Sequence, residues 1–242
     1  MRIDKLLANM GYGSRKEVKN LLKKGSVSCN GEPIKSPQTQ VVPGQDSVTV
    51  FGEEVDYKEY IYLMMNKPPG YLSATEDNRD ATVIDLLEPE DVIFDPFPVG
   101  RLDKDTEGLL LITNDGKLAH QLLSPKKDVG KTYYAVIDGK VVEADKQKFK
   151  EGVELDDGYV TRPAHLQILS SGNFSEIEIT ITEGKFHQVK RMFEAVGKRV
   201  SYLKRISMGK LALDPDLGKG EYRELSDEEL SYLVQTVQKS YG

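Results

Sequence analysis

The sequence contains no tryptophan, one cysteine and three histidines among its 242 residues. The lone cysteine, Cys29, excludes an internal disulfide, and the few cysteines and histidines show no paired spacing for a zinc site. No apolar run approaches the length of a membrane span, and no signal-peptide core follows Met1. We therefore expect a folded cytoplasmic protein that binds no metal and does not enter a membrane.

The formal net charge of -6 by itself argues against a nucleic-acid partner, but the charges are unevenly distributed. Residues 1–35 hold eight Lys and Arg against three acids, and residues 183–210 hold eight against two. Such segregation predicts an electropositive face for a polyanion such as RNA. The alternative is that folding scatters these charges over unrelated surfaces.

Residues 1–56 have the pattern of a small module with two helices and a small sheet. Apolar residues at helical spacing from Ile3 to Met10 predict the first helix, and a capping box at Ser14 to Glu17 predicts the start of the second. The outer face of this second helix carries the cations Arg15, Lys16, Lys19 and Lys23. We expect them to contact RNA phosphates, although an ordinary solvated helix face is the simpler alternative.

The acidic stretch 52–59 has the composition of a linker, and residues 60–238 contain strand and helix patterns in mixed order. Isoleucines alternate from Glu176 to Thr182, as in a half-buried strand, whereas Glu143 to Glu151 has a helical pattern. We therefore predict an α+β domain with a mixed, largely antiparallel sheet flanked by helices.

The most informative segment is Gly100 to Gly108, GRLDKDTEG, which leads directly into the apolar run Leu109 to Ile112. A charged loop that enters a buried strand is a common way to hold a reactive side chain in a rigid site. Asp103, Asp105 and Glu107 have the spacing of the first ligands of a calcium-binding loop. The apolar run that follows supplies none of the later ligands, so we exclude a calcium site. Paired glycosidase carboxylates at Asp103 and Asp105 remain a weaker alternative, because no tryptophan is available as a sugar platform.

Four motifs along the chain resemble, in order and spacing, those of RNA pseudouridine synthases of the ribosomal small-subunit type. They are Asn66 to Gly70, the central Gly100 to Gly108, Lys131 to Tyr133, and the basic segment Glu183 to Met192, EGKFHQVKRM. Residues 1–50 resemble an S4-type RNA-binding domain. The resemblance spans nearly the whole chain and implies an S4-like module in residues 1–56 followed by a pseudouridine synthase domain in residues 60–238.

The resemblance implies a reaction that breaks the bond between ribose C1′ and uracil N1 and rejoins the base through C5. Nothing is added or lost, so no cofactor is expected. The catalytic aspartate of the family corresponds to Asp103, whose carboxylate would attack ribose C1′, attack C6 of the base, or remove a ribose proton. The sequence does not choose among these roles, all of which need an ionised carboxylate that a nearby cation would favour.

The resemblance makes Lys190 the cationic partner of Asp103, with Arg191 as second choice; an ordinary exposed helix lysine is the alternative. Tyr133 would stack on the uracil, and its hydroxyl would help to remove the C5 proton, unless it is a core tyrosine. The uridine must leave its stack to reach Asp103. Arg101 would then fill the vacated space or hold phosphate, with a salt bridge to a neighbouring acid as the alternative.

We expect ribosomal RNA as the partner, with the small-subunit 16S RNA as the first candidate, either free or in an assembly intermediate. The same reaction on 23S RNA is one alternative, and a non-catalytic RNA-binding or ribosome-assembly protein is another. We expect a monomer, although the sequence determines neither the oligomeric state nor the target uridine.

Overall fold

The computed structural model describes residues 1–238 and divides the chain into two compact units. Residues 1–61 and 87–96 form the first, which we call the N-terminal unit. Residues 62–86 and the chain from residue 97 onward form the second, the C-terminal unit. No helix within residues 1–238 is both long and apolar enough to cross a membrane.

The N-terminal unit has the expected order of two helices followed by a small sheet. Its helices are α1 Ile3–Asn9 and α2 Arg15–Lys23, and the returning segment adds α3 Pro89–Val92. Its strands are β1 Val27–Cys29, β2 Glu32–Pro33, β3 Val48–Val50 and β4 Glu53–Glu54, in the spatial order β2-β1-β3-β4. The predicted capping box starts α2: Ser14 Oγ accepts from the Glu17 backbone N–H, and the Glu17 carboxylate accepts from the Ser14 N–H at 2.7 Å.

The acidic stretch 52–59 is not the linker that its composition suggested. Strand β4 pairs with β3 in antiparallel register, and Val55 is buried in the core of the N-terminal unit, with Tyr57 packed against that core. Burial of Val55 gives the segment a hydrophobic contribution to stability that an exposed linker lacks. The linker prediction was therefore wrong for these residues.

The C-terminal unit is built on one nine-stranded sheet. Its strands are β5 Tyr62–Lys67, β6 Phe97–Pro98, β7 Glu107–Thr113, β8 Lys131–Asp138, β9 His165–Ser170, β10 Phe174–Ile181, β11 Arg199–Met208, β12 Leu211–Ala212 and β13 Tyr222–Glu224. Its helices are α4 Gly116–Leu123, α5 Glu143–Glu151, α6 Gln188–Glu194 and α7 Asp227–Gln238, with 3-10 turns at Val83–Leu86 and Pro125–Lys127.

The sheet follows the spatial order β13-β5-β7-β11-β8-β10-β9, with β6 paired to β7 and β12 paired to β11. Strands β7 and β11 are parallel, and the other neighbours in this sheet are antiparallel. The predicted α+β class with a mixed, largely antiparallel sheet is therefore confirmed.

Two strands extend further than the sequence predicted, and both extensions border the candidate site. Strand β5 continues through Asn66 and Lys67, although the segment Asn66 to Gly70, NKPPG, has the composition of a turn, and β7 begins at Glu107, two residues before the apolar run Leu109 to Ile112. Lys67 pairs with Gly108 in the ladder between these strands. Cross-strand pairing with a distant segment thus overrides the local turn signal.

Candidate active site

Asp103 lies in a tightly held loop, residues 100–106, that connects β6 to β7. The backbone N–H of Thr106 donates to the carbonyl of Asp103 at 3.0 Å and closes a turn. Ser73 Oγ donates to the carbonyl of Leu102 and accepts from its backbone N–H, both at 3.0 Å. These bonds fix the backbone on both sides of Asp103.

A buried lysine crosslinks this loop to the end of β5. The three N–H donors of the Lys67 ammonium group are shared among four backbone carbonyls, those of Pro68, Asp103, Lys104 and Thr106, at distances from 2.9 to 3.3 Å. Burial lowers the pKa of Lys67 to about 8, although the nearby loop carboxylates act in the opposite direction. One side chain thus satisfies several carbonyls of the loop at once.

The half-buried carboxylate of Asp103 lies between two basic side chains from the beginning of α6. Its Oδ2 is 3.2 Å from Nζ of Lys190, and its Oδ1 is 3.6 Å from Nε2 of His187. His187 is the N-cap residue of α6 and has a left-handed backbone with φ 49°. The structure therefore places Lys190 beside Asp103, as the sequence predicted, and adds an imidazole on the other oxygen.

Lys190 also binds the second carboxylate of the loop, with 2.6 Å between its Nζ and Oδ1 of Asp105. Burial alone would lower the pKa of Lys190, but the hydrogen bonds to Asp105 and Asp103 outweigh it and raise the pKa above its usual value. Partial burial would raise the pKa of Asp105, but the contact with Lys190 holds it below its usual value. Lys190 therefore keeps its charge at neutral pH.

Tyr133 and Tyr134 are neighbours on β8, and Tyr133 is the one that faces the site. Strand β8 buries Lys131 and Tyr133 on one face and leaves Tyr134 half-buried on the other, where its hydroxyl donates to Glu176 at 2.9 Å. Tyr133 and Asp103 both line a cavity of about 830 Å³. The alternation of strand side chains therefore decides which ring meets a ligand near Asp103.

Two buried cations line the same cavity and have no carboxylate partner within residues 1–238. Arg205 is the cross-strand neighbour of Tyr133; its Nε donates to the carbonyl of Leu109 at 2.7 Å, whereas its Nη2 has no hydrogen-bond partner. Lys131 donates to the carbonyl of Val129 at 3.2 Å, and burial together with Arg205 lowers its pKa to about 8. The cavity wall is therefore electropositive and suits an anionic or carbonyl-rich ligand.

The two arginines expected at the site have different surroundings. Arg101 is exposed on the cavity wall, and no ion pair within the described part of the chain involves it. Arg191 instead binds Asp156 through Nε at 2.6 Å and Asp157 through Nη2 at 2.7 Å. One residue along a helix turns the side chain by about 100°, so Arg191 does not share the direction of Lys190. The second choice for the partner of Asp103 is therefore wrong.

The four cations of α2 are all exposed on the N-terminal unit. They are Arg15, Lys16, Lys19 and Lys23. No ion pair in residues 1–238 engages them, and the one acid of the helix, Glu17, is used by the capping box. The predicted cationic helix face is thus present and unneutralised by its own helix.

Four residues at the site had no role assigned from the sequence, namely Lys67, Lys131, His187 and Arg205. His187 did give a signal, because it precedes Lys190 by three residues at the start of a helix, a spacing that puts both side chains on one side. Lys67 and Arg205 gave no separate signal, since a lysine or arginine is seldom buried and its partners here come from distant segments.

Comparison with known families agrees with this geometry. The profile of RNA pseudouridylate synthases matches residues 61–195, and the profile of the S4 domain matches residues 1–47. The chain belongs to the RNA pseudouridylate synthase family. The enzyme thus combines a pseudouridine synthase fold with an N-terminal S4 domain.

Relatives of this pseudouridine synthase cover almost its whole length. The uncharacterized RNA pseudouridine synthase YtzG of Bacillus subtilis is 59% identical over 96% of this chain and 98% of that protein. Ribosomal small subunit pseudouridine synthase A of Yersinia pestis is 39% identical, with 96% and 97% covered. Ribosomal large subunit pseudouridine synthase B of Bacillus subtilis is 37% identical, with 96% and 95% covered.

A solved structure has the same overall fold as this pseudouridine synthase. The crystal structure of a pseudouridylate synthase matches it with a TM-score of 0.68 and 34% sequence identity, over 96% of this chain and 99% of that chain. The enzyme is therefore an RNA pseudouridine synthase by family.

Proposed function

We propose that this enzyme converts one uridine of ribosomal RNA into pseudouridine, with the small-subunit 16S RNA as its leading substrate. The observation that carries the proposal is the Asp103 carboxylate, which has Lys190 on one oxygen and His187 near the other, in a cavity that Tyr133 also lines. The relative named small subunit pseudouridine synthase A supports the 16S assignment. The large-subunit relative, of similar identity, makes 23S RNA the second candidate.

In the proposed reaction Asp103 acts on the ribose or on the base of the everted uridine, by one of the three routes open to a carboxylate. Lys190 compensates the charge of the carboxylate and fixes its direction. Tyr133 stacks on the uracil, and its hydroxyl assists removal of the C5 proton. Because the product is an isomer of the substrate, the reaction needs no cofactor. Arg101, exposed on the cavity wall, occupies the space left by the uridine or holds a phosphate.

We assign RNA docking to residues 1–56 and the chemistry to residues 60–238. The exposed cations of α2 neutralise phosphates and give affinity without sequence choice. Tethering then raises the local concentration of RNA at the catalytic unit. We propose that a monomer suffices, that the activity is cytoplasmic with the ribosomal RNA, and that the substrate is free RNA or an assembly intermediate.

Pseudouridine mapping tests the substrate assignment. Ribosomal RNA from cells with and without the gene is compared at every uridine of both subunits. We expect one pseudouridine of 16S RNA to disappear in the deletion and to return with the wild-type gene. Loss of a 23S pseudouridine instead would select the second candidate, and unchanged maps of both RNAs would contradict the proposal.

Asp103→Asn tests the catalytic assignment. The amide keeps the shape and polarity of the side chain but cannot act as a nucleophile or base, so we expect pseudouridine formation to stop. RNA binding, measured by filter retention, should stay near the wild-type value because docking depends on other residues. Pseudouridine formation at the wild-type rate would exclude Asp103 as the reacting group.

Charge reversal on α2 tests the docking face. We expect Arg15→Glu with Lys19→Glu to weaken RNA binding and to reduce the slope of log affinity against log salt by about two phosphate contacts. Lys148→Glu with Lys150→Glu, on the exposed side of α5, is the control with the same charge change. Equal effects of the two double variants would show that only net charge matters.

A further inference from the structure

Phe186 is more exposed than any other large hydrophobic residue in residues 1–238, at 76%. It lines the same cavity as Asp103. Covering its apolar ring with a ligand would remove that surface from water, which is favourable. Its ring stacks on the imidazole of His187, with 3.7 Å between ring centroids and 18° between ring planes. An exposed aromatic ring at the edge of the cavity, already stacked on one face, leaves its other face available to stack on a ligand.

The loop that carries Phe186 is held rigidly. The carboxylate of Glu183 accepts from the backbone N–H of Arg162, the amide of Gln188 and the hydroxyl of Tyr159, at distances from 2.6 to 2.9 Å. The amide oxygen of Gln188 also accepts from the backbone N–H of Lys185 at 2.9 Å. These bonds hold the backbone on both sides of Phe186, and stacking on His187 orients its ring, which favours a preformed contact surface.

The surroundings of Phe186 indicate the chemistry of its partner. His187, on which the ring stacks, has its Nε2 3.6 Å from Asp103, so Phe186 is separated from the carboxylate by a single imidazole. Arg101 and Lys185 line the same cavity. An aromatic surface flanked by cations is the combination that binds single-stranded nucleic acid, through stacked bases and neutralised phosphates.

We propose that Phe186 is a stacking platform for an unpaired base directly adjacent to the everted uridine. This inference rests on the proposed function and adds a second nucleotide to the substrate site. The base packs on the open face of the phenyl ring while His187 supports the opposite face. Stacking accepts any base, so the platform fixes the position of the RNA strand and requires a base without selecting its identity.

Substitutions at Phe186 separate stacking from bulk. We expect Phe186→Ala and Phe186→Leu to raise KM for the RNA roughly tenfold with kcat little changed, because one base-aromatic stack is lost. Phe186→Tyr keeps the aromatic face and should retain the wild-type KM. Phe174→Ala is the matched control, since Phe174 is 63% exposed at the start of β10, five residues before the partner of Tyr133.

RNA lacking a single base tests the contact directly. The probe is a synthetic ribosomal RNA fragment around the uridine that the wild-type enzyme converts, with the nucleotide before or after it made abasic. At one of these positions the abasic change should raise KM of the wild-type enzyme about as much as Phe186→Ala raises KM on intact RNA. Phe186→Ala acting on that abasic RNA should then have a KM no higher than either change produces alone. Losses that multiply at both positions, or a Phe186→Ala variant within twofold of wild type, would overturn the proposal.

A binding readout keeps this test distinct from the test of the proposed function. The fragment carries 2-aminopurine at the same position, and its fluorescence should fall on binding to wild type and Phe186→Tyr but not to Phe186→Leu. Asp103→Asn should quench it like wild type. Quenching by wild type but not by Phe186→Leu, on a fragment that Asp103→Asn still converts, would retain the platform and reject Asp103 as the reacting group. Loss of conversion in Asp103→Asn with equal quenching by wild type and Phe186→Leu would do the reverse.

Discussion

Gly108→Ala probes how closely β7 and β11 approach each other next to the active-site loop. Gly108 has φ +101°, and a Cβ built on it would lie 2.2 Å from the carbonyl oxygen of Arg205 and 2.9 Å from its backbone nitrogen. These are backbone atoms of the strand paired in parallel with β7, so they move only if β11 moves. The substitution must therefore open the pairing at this point.

The expected cost has two parts. An L-residue in the left-handed region is strained by about 1–2 kcal/mol. Opening the pairing also weakens two or three hydrogen bonds, including the one from Arg205 Nε to Leu109, at about 1 kcal/mol each. We expect the free energy of unfolding of the C-terminal unit to fall by about 3–5 kcal/mol, which is a large share of the stability of an ordinary domain.

Two other glycines separate the two parts of this cost in urea unfolding followed by circular dichroism. Gly70 has φ +92° with no heavy atom within 4 Å of a built Cβ, so Gly70→Ala should show the backbone strain alone, about 1–2 kcal/mol. Gly116 begins α4 with an ordinary φ and open space, so Gly116→Ala should be neutral or stabilising by up to about 1 kcal/mol. A loss for Gly108→Ala no larger than that for Gly70→Ala would refute the close approach.

Two further predictions concern the buried lysines. Lys67→Met removes the donor that holds the loop carbonyls, so we expect single-turnover pseudouridine formation to slow at least tenfold. The control Lys104→Ala breaks an exposed ion pair with Asp80 and should keep a rate near that of wild type. Equal rates in the two variants would contradict the crosslink. Between about pH 8 and 10.5, Lys131 keeps its proton in the unfolded chain but has lost it in the folded protein. The free energy of unfolding should therefore rise with pH in this range, and rise less steeply in Lys131→Met. Identical slopes in wild type and Lys131→Met would contradict the lowered pKa.

Local patterns were enough to predict several elements. The helix predicted at Glu143 to Glu151 has those bounds in the structure, and the predicted capping box at Ser14 starts α2. These features depend on side chains within one turn of each other, so the sequence carries their full cause. The strand ends at Lys67 and Glu107 instead depend on pairing between distant segments, which local patterns do not contain.

The sequence by itself determined much of the order of elements and the α+β class, because periodicity is a property of neighbouring residues. The reactive candidates came from the resemblance of its motifs to those of a known family. The resemblance ranked Lys190 above Arg191 as the cation beside Asp103, but the sequence did not place Lys67 and Arg205 at the site. The tertiary structure decided these points. The side chains that meet at Asp103 come from segments far apart in the chain. Their positions depend on the register between distant strands and on the direction of the helix that follows each loop.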